Sequence, residues 1–197
     1  QDYSCFGQGT IAIYLASLGW LPSSRTSIVS TGTAQAVTLD RLQTNSGSGT
    51  SYLMAVVPIN NSSTEYYTVE ARDLVGYDQN IPGHAVIIHY VNLNYTWNPS
   101  AGPALVVDGD GNNNVNDAGA MWIPGETYAD SVNNIRIRVV SQAGTTFTIE
   151  IANNVPPSAP TGLVTQGNLS SAPATPTYRW DAVGGATGYY LYVATLG

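Results

Sequence analysis

The chain alternates. In TEYYTVEAR, residues 64–72, Tyr67, Val69 and Ala71 fall on one side of an extended backbone, and Tyr66, Thr68, Glu70 and Arg72 on the other. Period-two patterning of this kind recurs through most of the sequence and restricts the fold to sheets with one face buried. HAVIIHYV, residues 84–91, is apolar on both sides and predicts an inner strand covered on both faces. NIRIRVVSQAGTTFTIEI, residues 134–151, predicts a hairpin. A three-residue loop at Gln142–Gly144, with Gly144 left-handed, sets Val139 against Phe147 and Ile137 against Ile149. The same register sets Arg136 opposite Glu150 on the outer face.

One segment breaks the pattern. GTIAIYLASLGW, residues 9–20, places Ile11, Tyr14, Leu15 and Leu18 at helical spacing. Thr10 is the expected cap, Gly19 the expected end, and Pro22 stops the helix resuming. The expected class is therefore mainly β: one N-terminal helix, then an antiparallel β-sandwich-like domain, then a smaller, incomplete sandwich. Six Arg and no Lys against thirteen acidic residues give a net charge of −7. That balance lacks the basic footprint of a nucleic-acid binder. No apolar run reaches the length of a membrane span. Cys5 is the only cysteine, so no disulfide forms within the chain.

NNVPPSAP, residues 153–160, interrupts the strands and reads as a stiff linker. The expected organisation is a helical segment over 1–24, a β domain over 25–152, the linker, and a last module over 161–197. In that module PTYRWDAV and GYYLYVATL are the expected neighbouring strands. With its Pro-rich entry, Trp180, Tyr190 and Tyr192, the module resembles a fibronectin type III domain. Such sandwiches need about seven strands in ~100 residues. Fewer than fifty residues lie here, so the expectation is a fragment or a module completed by another molecule.

The first 152 residues carry a second resemblance. LASLGWLPSSR, YYTVEARDLVGYDQNIPGHAVIIHYVN, ALVVDGDGN and WIPGETYAD follow one another in that order. Together they resemble the region behind the catalytic domain of secreted immune-inhibitor-A and gametolysin-like metallopeptidases. There a helix ending in L-G-W-L closes the catalytic domain, and a β-rich domain follows with Y-x-x-E-x-R, G-Y-D, L-P-G and V-I-I-H-x-V elements. The resemblance implies a secreted or cell-surface protein, with an upstream catalytic domain or neighbouring subunits as partners. That family's zinc motif, H-E-x-x-H, does not occur in these residues.

The residues themselves offer no substitute. His84 and His89 lie five apart on a predicted strand and face opposite ways, so one zinc ion does not reach both. His84 is expected to be exposed, and His89 to be a core imidazole with its ring nitrogens hydrogen-bonded. Glu65 and Glu70 are likewise on opposite faces, which rules out a two-carboxylate site. Glu70 and Arg72 share a face and are expected to pair as a salt bridge at the sheet rim. No G-x-S-x-G elbow and no phosphate-binding Gly-rich loop before a helix is present.

VVDGDGNNNVNDAGAMW, residues 106–122, is the exception. From Asp108 as position one, side-chain oxygens recur at positions three, five, seven and nine, as in a calcium loop. It departs from an EF-hand at Asn113, where a glycine belongs, and at Gly119, where the bidentate Glu belongs. The candidate ligands are Asp108, Asp110, Asn112, Asn114 and Asp117, and three carboxylates suit calcium in an extracellular setting. The competing reading is a solvated turn, since Asp, Asn and Gly are turn formers. Asn60, Asn61, Asn94 and Asn168 head N-x-[ST] glycosylation sequons. A structural protein assembling by strand addition, and a module stacking surface polysaccharide on Trp97, Trp122 or clustered Tyr, are the alternative functions.

Overall fold

A computed structural model describes residues 9–43, 51–94, 103–166 and 177–193. The chain divides into two compact units, residues 1–155 and 156–197.

The first unit is a two-sheet sandwich. One sheet has the order β1–β3–β4–β5–β6, formed by Thr26–Ile28, Met54–Pro58, Glu65–Arg72, Ala85–Asn92 and Ala104–Val106. Its pairs are antiparallel apart from the short parallel β1–β3 contact. The second sheet has the order β2–β9–β8–β7, formed by Thr33–Asp40, Thr146–Asn153, Ile135–Ala143 and Thr127–Asp130, all antiparallel. Alternation supplies the core between them. Val57, Tyr67, Val69, Ala71, Val86 and Ile88 from one sheet meet Val37, Leu39, Ile135, Ile137, Val139, Phe147, Ile149 and Ile151 from the other. Strand β5 is an inner strand between β4 and β6, as its two apolar faces require.

The β8–β9 hairpin forms in a different register from the expected one. Ala143 pairs with Thr146, so the turn has only two residues, Gly144 and Thr145, with Gly144 left-handed at φ +60°. A two-residue turn alone would place Val140, not Val139, opposite Ile149 and would put Arg138 on the core side. A bulge between Val139 and Ser141 corrects the parity. Val139 then faces Ile149, Ile137 faces Ile151, and Arg138, not Arg136, pairs with Glu150 at 3.3 Å.

Helix α1 spans only Ala12–Ser17. Gly19 ends it in the left-handed conformation; of the expected stripe Leu15 packs inward while Leu18 is exposed, and Ala12 and Leu21 are buried against Leu42 and Met54. Thr10 is not the cap: Ile11 holds that position without a side-chain bond. The capping acceptor comes from the sheet, where Glu70 Oε2 accepts from Ala12 N–H.

Among its described residues the second unit has two antiparallel strands, β10 (Val164–Gln166) and β11 (Thr177–Arg179). The expected strand at GYYLYVATL does not form over residues 188–193, where Tyr190 and Tyr192 are exposed. The Trp180 ring instead lies 5.5 Å from that of Tyr189. No helix among the described residues is long and apolar enough to cross a membrane.

Candidate functional site

Strand β4 sits in the middle of the five-stranded sheet, and its second face is not solvated. Thr68, Glu70 and Arg72 are all buried there. The 3-10 turn Gly76–Asp78 brings a third charge, Asp78, against Arg72. The Glu70–Arg72 pair is therefore central, not at the rim. It is covered by residues 9–12, the strap that leads into α1.

Arg72 has five N–H groups, and each has an acceptor. Its Nε and Nη2 donate to Glu70 Oε1, and its Nη1 to Asp78 Oδ2 at 2.8 Å. The remaining two bonds reach the strap: Nη1 donates to the Gly9 carbonyl and Nη2 to the Thr10 carbonyl, both at 3.1 Å. The carboxylates hold the strap's amides. Gly9 N–H donates to Asp78 Oδ1 at 2.8 Å, and Ala12 N–H donates to Glu70 Oε2. Glu70 is thus the cap of α1, an anion at the helix N-terminus supplied from another element. A side chain at position 9 would displace the Gln43 amide and crowd Asp78 Oδ1.

The electrostatics follow from burial and pairing. Burial acts to lower the Arg72 pKa, but Glu70 and Asp78 override it and the net movement is upward. A cavity of about 80 Å³ adjoins the cluster, lined by Glu70, Arg72, Asp78 and His89 among apolar neighbours. His89 is only 2% exposed, and its Nδ1 has no hydrogen-bond partner. This differs from the expected satisfied core histidine: the sheet and the apolar walls leave no acceptor at Nδ1. Burial pushes its pKa down, Glu70 opposes that, and Arg72 adds to it. His84 is half-exposed and pairs through Nδ1 with Asp73, which also accepts from Arg41 Nη1 at 2.9 Å. Burial raises the Asp73 pKa, but Arg41, the Leu74 N–H and His84 draw it down overall.

The 108–117 loop is a chain of Asx turns. Asp108 Oδ1 accepts from Asp110 N and Oδ2 from Asn113 N, while Asp110 Oδ1 accepts from Asn112 N. Asn112 Oδ1 accepts from Asn114 N, and Asn114 Oδ1 from Asn116 N. The Asn112 amide bridges two of the candidate ligands, donating to Asp110 Oδ2 at 3.0 Å and Asp117 Oδ2 at 2.9 Å. The Asn112 bond to Asp117, with the Gly119 N–H, draws the Asp117 pKa down. A Cβ at Gly119 would lie 2.5 Å from the Asp110 carboxylate, which would have to turn aside. Among the described residues no group of three or more His, Cys, Asp or Glu is gathered around one point.

The other candidates separate. Glu65 accepts from Tyr90 OH, away from Glu70's clamp. Trp122 is buried in the core against Tyr128, with ring centroids 5.8 Å apart, so it offers no stacking platform; Trp97 lies outside the described residues. Asn60 and Asn61 are exposed in the Ile59–Thr64 turn with φ of +50° and +60°. Asn94 is exposed and donates to Thr64 Oγ1 at 2.9 Å. Asn168 lies outside the described residues. Sequence reasoning assigned Asp78 no role, although the G-Y-D element containing it was a visible signal. No family model, curated protein or solved structure matches the chain.

Proposed function

We propose that this chain is a non-catalytic β-rich accessory region of a secreted metallopeptidase, and that it fixes the position of the polypeptide entering it. One observation carries the reading. The polar residues of the Y-x-x-E-x-R and G-Y-D elements, Glu70, Arg72 and Asp78, converge on a single buried cluster whose remaining bonds go to the strap. That use of the motif residues suits a domain that holds what precedes it.

The test joins this chain to the polypeptide encoded upstream of it. The expected result is an H-E-x-x-H protease domain there, casein hydrolysis by the joined protein, and none by residues 1–197 alone. An upstream polypeptide without a protease domain, or chelator-sensitive hydrolysis by this chain alone, overturns the reading.

The same proposal makes the 108–117 loop a calcium site. Asp108, Asp110 and Asp117 would supply the charge, and the Oδ1 atoms of Asn112 and Asn114 neutral ligands. At a calcium concentration 100 times Kd, binding stabilises by about 2.7 kcal/mol, a melting shift of roughly 5–10 °C. Asp108→Ala should abolish that shift. Identical melting in calcium and in chelator would leave the loop as a turn.

A further inference from the structure

His89, from β5, lines the same partly open pocket as Gly9 and Ile11 of the strap. We propose that His89 is an acid-operated latch: proton uptake by its imidazole releases the strap over residues 9–12 from the Glu70–Arg72–Asp78 cluster. The inference holds whether or not the chain belongs to a metallopeptidase.

The geometry carries it. His89 is almost wholly buried and its Nδ1 has no partner, so a second proton there would have no acceptor while the strap is closed. The charged groups facing it come from two places, Glu70 and Arg72 on β4 and Asp78 in the 76–78 turn. Their carboxylates are already engaged. Glu70 accepts from Arg72 and Ala12 N–H, and Asp78 from Arg72 and Gly9 N–H. The strap, β6 and the 115–121 segment present only apolar or main-chain groups to the cavity. The Nδ1 atom itself is sealed from solvent, so water in the neighbouring pocket does not reach it while the strap is in place. Opening the strap admits solvent and frees Glu70 from Ala12. The proton therefore favours the open form.

The sign follows from burial, which holds the closed-state pKa below the ordinary value of about 6.5. The stabilisation of the closed strap is complete above that ordinary value and is lost as pH falls below it. Where the closed state takes up no proton, the opening constant grows about tenfold between pH 7.5 and 5.5.

Amide hydrogen exchange on the full chain reads this directly, with each rate divided by the intrinsic rate at its pH. Gly9 and Ala12 should lose about tenfold in protection between pH 7.5 and 5.5, while the amides of β9 keep theirs. In His89→Gln, or in His89→Leu should the glutamine variant not fold, the strap's protection should be flat with pH. His84→Gln should behave as the parent chain. Flat protection in the parent, an equal loss across β9, or a fall that survives substitution of His89 would each overturn the latch.

Discussion

Arg72→Met is expected to destabilise the first unit by about 3–5 kcal/mol, the range for removing one partner from a buried ion cluster. Chemical denaturation monitored through the buried Trp122 would measure it. The size comes from what is left behind. Arg72 is 5% exposed at its side chain, Glu70 1% and Asp78 0%. Without the guanidinium two carboxylates face each other in a nearly dry site, and the Gly9 and Thr10 carbonyls lose their donors. Arg72→Lys should recover only part of the loss. An ammonium has three donors and no planar fork, against five acceptor contacts here. The triple variant Glu70→Gln, Arg72→Met, Asp78→Asn should cost less than Arg72→Met alone, because it removes the uncompensated charges while keeping amide oxygens for Gly9 N–H and Ala12 N–H. That non-additivity distinguishes a charge cluster from mere packing at position 72. A single variant costing under about 1 kcal/mol would show that the cluster does not hold the strap.

The sheet faces were legible because period-two alternation reports which way a side chain points. It does not report what covers it. Glu70 and Arg72 were correctly placed on the face opposite Tyr67, yet polarity suggested a wet rim, and the covering strap made that face an interior. The β8–β9 register eluded the sequence for a related reason. Turn length and bulge compensate each other, and both solutions keep Ile135, Ile137 and Val139 in the core, so hydrophobicity alone does not choose between them. Thr10 looked like a helix cap because capping is usually local. Glu70, 58 residues away from Ala12, does the work, and no local pattern reveals such a partner. In the Asp/Asn loop the sequence named the oxygens. Their present hydrogen bonds form a self-satisfied turn, and a turn and a metal loop draw on the same residue types.

Asn153 sits where composition suggested linker, and the structure buries it completely at the end of β9. It continues the inward row of Phe147, Ile149 and Ile151, but its amide does what an apolar side chain there could not. Nδ2 donates to the Val29 carbonyl at 2.9 Å and to the Pro58 carbonyl at 3.0 Å, joining the four-stranded sheet to the five-stranded one. Asn153→Ala should cost about 2 kcal/mol, the penalty for two carbonyls left without that donor. Asn153→Asp should cost about 4 kcal/mol at neutral pH, because it also aims a buried carboxylate at two carbonyl oxygens. The two variants separate by pH. Burial beside acceptors raises the new carboxyl's pKa above its unfolded value of about 3.9, so the folded state binds the extra proton more readily. Its deficit relative to the parent chain therefore shrinks as pH falls through the raised pKa and grows as pH rises through it. The alanine variant's deficit should stay constant over the same range. Denaturant melts of all three proteins at pH 5 and pH 8 decide the matter. Parallel pH dependence in the two variants would mean that the Asn153 amide does not bridge the sheets.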